Sequence, residues 1–142
     1  MAITHAMVLA AGLGTRMRAR ADDPPKPLTQ IAGRSLLDRM IDRLENAGVQ
    51  NLVVNLHHKA DHITDHLAQR AQQSKIAFSD ERAALLETGG GVKNALSLLG
   101  ADPFFVCNAD ILWQENTDTL SALARYFDPQ RMDVLLMLAP RT

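Results

Sequence analysis

The feature that most constrains this chain is a regular alternation between short apolar runs and segments with helical spacing of apolar residues. Strands that alternate with helices pair in parallel, connect through right-handed crossovers and carry helices on both faces of the sheet. The alternation therefore predicts an α/β fold, a three-layer α/β/α sandwich around a mostly parallel sheet. The predicted strands are 6–9, 52–54, 76–78, 104–107 and 134–138, and the run 104–107 is apolar enough to be a central strand.

Four helices are predicted between these strands. The first has Ser35 as its N-cap and stops at Gly48, and the second begins near Asp61. The third has Thr88 as its N-cap and ends at Gly100, and a fourth follows the strand at 104–107. Their predicted buried faces are Leu36, Leu37, Met40, Ile41 and Leu44; Ile63, Leu67 and Ala71; Val92, Ala95, Leu96 and Leu99; and Leu120, Leu123 and Ala124.

Composition excludes several classes of protein. The chain has 142 residues, enough for one domain with its own core, and a formal net charge of -1. It therefore has no basic field that could hold a nucleic acid or an anionic membrane surface. Its one cysteine, Cys107, rules out a disulfide framework. No secretory signal or membrane-spanning stretch is evident, so we expect a cytoplasmic protein.

Ligands of parallel α/β sheets bind beyond the carboxyl ends of the strands. That rule selects three places in this chain: the turn around Gly12, the segment around His57, and Asn108-Ala109-Asp110. A binding site should therefore combine residues that are far apart in the sequence.

A glycine-rich turn follows the first strand directly, in Leu9-Ala10-Ala11-Gly12-Leu13-Gly14. Small residues let a backbone loop approach a polyphosphate with its N–H groups facing the anion, and Arg16 and Arg18 can add positive charge. A plain strand-to-helix turn is the alternative. A Rossmann dinucleotide fingerprint is excluded because its third glycine would fall on Met17, and no Gly-Lys-Ser/Thr follows to make a Walker loop.

Lys26 lies between two prolines, in Pro24-Pro25-Lys26-Pro27-Leu28. Prolines stiffen the backbone and reduce the freedom that the lysine loses when it docks on a phosphate. A solvated lysine in a proline-rich loop is the alternative interpretation of this segment taken by itself.

Two further segments carry candidate chemistry. Glu87-Thr88-Gly89-Gly90-Gly91 places consecutive glycines at a helix start, which indicates close approach either of a ligand or of packed helix and sheet. Asn108-Ala109-Asp110 follows the most apolar strand, and a carboxylate there is a suitable Mg²⁺ ligand, or else the cap of a turn.

The combination of Leu-Ala-Ala-Gly-x-Gly-Thr-Arg-Met at 9–17 with Pro-Lys-Pro-Leu at 25–28 resembles the signature of the sugar-phosphate nucleotidyltransferases. This resemblance implies the Rossmann-like sheet of the nucleotide-diphospho-sugar transferase type. It implies catalytic roles for Arg16, Lys26 and Asp110, with Asp110 as the Mg²⁺ ligand. The nucleotide contacts that it implies are Ala10, Ala11, Gly12, Leu13, Gly14, Thr15, Arg16, Lys26, Glu87, Thr88, Gly89, Gly90 and Asn108.

The segment Glu-Thr-Gly-Gly-Gly is similar to that of the N-acetylmuramate-1-phosphate uridylyltransferases of bacterial cell-wall recycling. The resemblance implies transfer of UMP from UTP to a sugar 1-phosphate, with release of pyrophosphate. Alternatives are a guanylyl-, thymidylyl- or cytidylyltransferase and a non-catalytic nucleotide-binding module. We expect residues 1–142 to be the nucleotide-binding N-terminal part of the domain, with the C-terminal sugar-binding part absent. Oligomeric state stays open.

Other polar groups have weaker functional interpretations. His58, His62 and His66 recur at helical spacing, and a solvated helix face is favoured over a transition-metal site. One of Asn55, His57 and His58 could contact substrate because these residues follow a strand. Cys107 is interpreted as a small core residue and not as a nucleophile.

Overall fold

The computed structural model describes residues 1–17, 20–71 and 73–140, so Arg18 lies outside the described residues. The bounds of the elements, in chain order, are β1 His5–Leu9, 3₁₀ helices at Thr15–Met17 and Lys26–Leu28, β2 Gln30–Ile31, β3 Arg34–Ser35, α1 Leu36–Asn46, β4 Asn51–Leu56, α2 Ala60–Gln69, β5 Lys75–Asp80, α3 Glu87–Leu99, β6 Phe105–Asn108 and α4 Thr119–Tyr126.

Four strands form a parallel sheet in the order β5-β4-β1-β6. Strand β1 is central, with Val8 opposite Val54 of β4 on one side and Cys107 of β6 on the other. From β1 the chain moves to β4 and β5, and it then returns to add β6 on the other side of β1. The direction of winding therefore switches between β1 and β6, which is where α/β sheets open a crevice for ligands.

Helices cover both faces of this sheet. Successive side chains of a strand point to opposite faces, so Val8 packs with α1, α2 and α4 while Met7 packs with α3. The larger core holds Ile41 from α1 and Ile63 from α2, and the smaller one holds Leu99 from α3. The predicted three-layer α/β/α sandwich with a parallel sheet is confirmed.

The predicted start of α1 is confirmed, but that of α3 is wrong. The Ser35 hydroxyl oxygen accepts a hydrogen bond from the Asp38 N–H at 3.0 Å, which satisfies a free donor of the first turn. Helix α3 begins one residue before Thr88, at Glu87, and no side chain caps it. Glu87 has φ +58°, so the chain turns into the helix through this left-handed residue instead of through a threonine cap.

Two predicted core residues are exposed. Ala71 lies beyond the end of α2 at Gln69 and is exposed. Leu96 is 46% exposed because the row Gly91, Ala95 and Leu99 faces the sheet, and one residue further along a helix is rotated by about 100°.

Two strand predictions are wrong. The apolar run 134–138 was predicted to be a strand, and the strand at 104–107 was predicted to be central in the sheet. Strand β6 forms an edge of the sheet, with Val106 46% exposed. Residues 134–138 form no strand; they run beside β6 and line an apolar groove with it. A strand needs a hydrogen-bonded partner as well as apolar side chains, and this segment has none among the described residues. No described helix is both long enough and apolar enough to cross a membrane.

Candidate active site

An open cleft of about 470 Å³ lies where β1 and β6 end, at the switch in winding direction. It brings together five separate segments of the chain. The lining residues are Leu9, Ala10, Ala11, Gly12, Leu13, Gly14, Thr15, Arg16, Lys26, Pro27, Asn55, Leu85, Glu87, Thr88, Asn108 and Asp110.

The glycine-rich turn forms one wall of this cleft. Gly14 has φ +64°, a backbone conformation that residues other than glycine adopt only at an energetic cost. A methyl group built on Gly12 would meet nothing within 4 Å, so this part of the loop faces open space. Among the described residues, the N–H groups of Gly12, Leu13 and Gly14 donate to no protein acceptor. These donors are free to bind an anion.

The start of the loop is held from below by Asn55 of β4. Its side-chain oxygen Oδ1 accepts hydrogen bonds from the N–H groups of Ala10 at 2.7 Å and Ala11 at 3.2 Å. The sequence interpretation had these N–H groups facing a phosphate. Because Asn55 already binds them, Ala10 and Ala11 line the cleft with their backbone donors engaged.

Lys26 is fixed in the way that its flanking prolines predict. Pro25 and Pro27 are both buried, and Lys26 is the first residue of the 3₁₀ helix Lys26–Leu28, with Pro25 as its N-cap and Pro27 within it. Its Nζ lies 2.8 Å from Oδ2 of Asp110, and both side chains are about one third exposed. The cleft therefore holds one lysine and one aspartate in direct contact, at a place that water and a ligand can reach.

Asp110 is placed by the turn after β6. The Ala109 N–H donates to the Leu9 carbonyl at 3.0 Å, and the Ala109 side chain is fully buried. This contact ties the end of β6 to the end of β1, so that Asn108 and Asp110 on either side of it line the cleft.

The start of α3 forms the opposite wall. Leu85, Glu87 and Thr88 line the cleft, whereas Gly89 and Gly90 lie outside its lining. A methyl group on Gly91 would approach Oε1 of Glu81 to 2.8 Å. Close packing beneath the helix therefore requires the glycine at 91, which was the alternative interpretation of this segment.

His57 and His66 each make a hydrogen-bond contact with a residue from another part of the chain. His66 Nε2 lies 2.9 Å from Oδ2 of Asp38 while its side chain stays 32% exposed, and His62 is exposed, as expected for the solvated helix face that the sequence predicts. His57 Nδ1 lies 2.6 Å from the Glu81 carbonyl oxygen. Within residues 1–17, 20–71 and 73–140, no three His, Cys, Asp or Glu side chains are grouped to hold a metal ion by themselves.

These features define a parallel α/β domain of the class that binds phosphate-bearing ligands at the switch point of its sheet. The chain matches the model of the MobA-like NTP transferase domain over residues 6–140 and belongs to that family.

Known relatives agree with this assignment. The chain is 52% identical to the N-acetylmuramate alpha-1-phosphate uridylyltransferase of Caulobacter vibrioides, over 96% of this chain and 58% of the relative. It is 45% identical to the protein of that name from Neisseria meningitidis serogroup B, over 75% of this chain and 47% of the relative. The crystal structure of HddC from Yersinia pseudotuberculosis superposes with a TM-score of 0.68 at 39% identity, covering 76% of this chain and 48% of HddC. The chain thus spans about half the length of the proteins that it matches.

Sequence reasoning named Asn55 only as a possible substrate contact, and it missed the supporting role of Asn55 and the residue Glu81. Asn55 is only 3% exposed and Glu81 2% exposed, near the carboxyl ends of β4 and β5. For Asn55 the available signal was a polar residue within a mostly apolar strand, because buried polar groups need specific partners, whereas Glu81 follows β5 and gave no such signal. Leu85, just before α3, gave no signal of this kind.

Proposed function

We propose that this chain carries the nucleotide-binding and catalytic groups of a nucleotidyltransferase that transfers UMP from UTP to N-acetylmuramate α-1-phosphate and releases pyrophosphate. The observation that carries the proposal is the meeting of the Gly12 loop, Lys26 and Asp110 in one cleft at the switch point. The 52% identity to a uridylyltransferase of that specificity supports the choice of substrates.

The reaction is an in-line displacement. An oxygen of the sugar 1-phosphate attacks the α-phosphorus of UTP, the bond from that phosphorus to the bridging α–β oxygen breaks, and pyrophosphate leaves with the bond electrons. The attacking oxygen is already an anion at neutral pH, so no general base is required. The protein must bring two mutually repelling anions together, which is a matter of alignment and of screening charge.

The residues of the cleft suit these two tasks. The free N–H groups of Gly12, Leu13 and Gly14 would bind phosphate oxygens of the nucleotide. Lys26 would leave Asp110 for the phosphates, where its ammonium neutralises the charge that develops on pyrophosphate. Arg16, which is exposed and lines the cleft, supplies a second cation, and Glu87 and Thr88 lie where the nucleoside would extend.

The donor set fits a magnesium ion that arrives with the nucleotide. Mg²⁺ keeps several waters and is commonly held by one or two carboxylates together with substrate phosphates. Asp110 provides one carboxylate at the edge of the cleft, about one third exposed, and we propose it as the protein ligand. The bound ion would supply charge neutralisation across the phosphates.

The test is a pyrophosphate-release screen of the four common triphosphates against sugar 1-phosphates. We expect UTP with N-acetylmuramate α-1-phosphate to give the highest rate. A higher rate with another triphosphate would replace the uridylyl assignment, and triphosphate binding without any release would indicate a nucleotide-binding module that does not catalyse.

The residue assignments are tested by variants of the same chain. Asp110→Asn and Lys26→Met should each lower kcat by roughly 10²–10³, the effect of removing one preorganised charge-stabilising group. Lys75→Met is the matched control, because Lys75 is an exposed lysine at the amino-terminal end of β5, away from the cleft. Near-normal turnover by Asp110→Asn would contradict the proposed role of Asp110.

A further inference from the structure

A buried pair of polar side chains, Asn55 and Glu81, lies beneath the cleft between its two walls. Asn55 is 3% exposed and Glu81 2% exposed, and Asn55 Nδ2 donates to Glu81 Oε1 at 3.0 Å. Neither residue belongs to the motifs that resemble the nucleotidyltransferases. Burying a carboxylate and an amide in this way is costly unless every polar atom finds a partner.

One side of the pair binds the phosphate loop. The Asn55 oxygen accepts hydrogen bonds from two consecutive backbone N–H groups, those of Ala10 and Ala11, at 2.7 and 3.2 Å. These two residues are the first of the loop after β1. Their position relative to β4 is therefore set by a single side chain.

The other side of the pair binds the start of α3. Oε2 of Glu81 accepts a long hydrogen bond from the Leu86 N–H, at 3.4 Å. Oε1 lies under Gly91, where there is no room for a methyl group. Glu81 thus fits against the first turns of the helix whose start, at Glu87 and Thr88, lines the opposite wall of the cleft.

We propose that Asn55 and Glu81 are positioning residues that hold the phosphate loop and the start of α3 at one fixed spacing. A nucleoside triphosphate needs this spacing, because its phosphates and its nucleoside must reach the two walls at the same time. The proposal rests on the proposed function only in taking a nucleoside triphosphate as the ligand. It predicts that disturbing the pair weakens a ligand that spans both walls more than one that touches the phosphate loop alone.

The test exchanges the two functional groups. Asn55→Asp keeps the acceptor for the loop but sets two carboxylates against each other. Glu81→Gln keeps an acceptor for Asn55 but turns an NH₂ group toward the Leu86 N–H, so it is the milder change. In the double variant the new carboxylate at position 55 again accepts from the loop, the new amide at position 81 donates to it, and the oxygen of that amide accepts from Leu86. Every hydrogen bond and the net charge are then restored.

The measurements are dissociation constants of the full chain for UTP and for inorganic tripolyphosphate, with melting temperatures. Asn55→Asp should weaken UTP binding by roughly ten- to a hundredfold, the range that one unsatisfied buried polar group produces. The factor by which it weakens tripolyphosphate binding should be several-fold smaller. Glu81→Gln should show the same preference with a smaller loss. The double variant should bind UTP within about threefold of the parent chain, since its hydrogen bonds are complete again.

Asn94→Ala is the matched control. Asn94 of α3 donates to the Ser79 hydroxyl of β5 at 2.9 Å, so this variant also removes a side-chain contact between α3 and the sheet, but outside the cleft lining. An equal loss of UTP affinity in Asn94→Ala would overturn the proposal, because general loosening of α3 would then be sufficient. If Asn55→Asp does not fold, Glu81→Gln decides, and equal weakening of UTP and tripolyphosphate overturns the proposal.

The comparison separates this proposal from the proposed function. Dissociation constants are also measured for the other three common triphosphates, and the tightest binder replaces UTP in the comparison, so an error in the uridylyl assignment does not affect it. A parent chain that binds no triphosphate overturns both proposals. A parent chain that binds one, together with a double variant no better than the worse single variant, overturns the positioning role alone.

Discussion

Replacing Gly91 by alanine should destabilise the protein, although alanine is the better helix former. A Cβ at this position would lie 2.8 Å from Glu81 Oε1 and 3.1 Å from Asn55 Nδ2. The first contact is too close to tolerate and the second is tight, so the Glu81 carboxylate or α3 must move. The movement breaks the 3.0 Å hydrogen bond between Asn55 and Glu81 in a place that water does not reach.

The magnitude follows from two opposing effects. Alanine in place of glycine stabilises a helix interior by about 1 kcal/mol. Leaving a buried polar group without its partner costs about 1–3 kcal/mol. Gly89→Ala isolates the first effect, because a Cβ at Gly89 meets nothing within 4 Å and the residue lies in the first turn of the same helix. The difference between the two variants should therefore be about 1–3 kcal/mol, with Gly91→Ala the less stable.

Urea denaturation followed by circular dichroism gives the free energy of unfolding of both variants and of the parent chain. Helix propensity largely cancels between the variants, so their difference reports mainly the clash at Gly91. Equal stability of Gly89→Ala and Gly91→Ala would refute the reasoning, since it would mean that Glu81 yields to a methyl group without loss.

Two further predictions concern the polar groups outside the cleft. Arg70, with a side chain only 7% exposed, binds the carboxylates of Asp42 and Glu45. Burial raises the pKa of each acid, but the hydrogen bonds that each carboxylate accepts outweigh it, so both pKa values are lowered. The donors are Arg34 and Arg70 for Asp42, and Ser74, Gln73 and Arg70 for Glu45. The stability that these acids contribute is present above their pKa values in the unfolded chain and is lost as pH falls through their pKa values in the folded chain. Arg70→Met should therefore lower the free energy of unfolding by about 2–4 kcal/mol at pH 7 and by progressively less below about pH 5. Urea denaturation at a series of pH values measures this. Burial raises the pKa of the Cys107 thiol to about 11, so iodoacetamide at pH 8 should label it only after urea unfolding; labelling of the folded chain at the rate of free cysteine would contradict this.

The alternation of strands and helices was sufficient to predict the layers and the parallel sheet, because that pattern has few packing solutions. Ser35 was predictable as a cap because its hydroxyl acts on a neighbour three residues away. The errors concern strands whose neighbours decide their place. An apolar run such as 134–138 has the composition of a strand, but it forms one only where a partner strand offers its edge, and local sequence carries no information on that.

In the cleft, too, the features that local sequence determines were predictable and those that depend on distant residues were not. Gly14 and Lys26 were predictable because glycine and proline act on their own backbone. The ion pair of Lys26 with Asp110 joins residues 84 positions apart (110 − 26), and the approach of Asn55 to Ala10 joins residues 45 apart. These contacts depend on strand order, which places β4 and β6 on either side of β1.

The cleft combines two kinds of polar contact, and the exposure of each suits the role that we propose for it. Lys26 and Asp110 are about one third exposed, and an ion pair in such a position contributes only about 0–1 kcal/mol, so an incoming phosphate can separate the two groups at little cost. Asn55 and Glu81 are almost fully buried, where the loss of a partner is far more costly. Under the proposed function, the groups that exchange partners lie where exchange is easy, and the groups proposed to hold the two walls at one spacing lie where exchange is prevented. If the buried pair served only stability, Asn55→Asp would lower the melting temperature and weaken the binding of UTP and of tripolyphosphate equally.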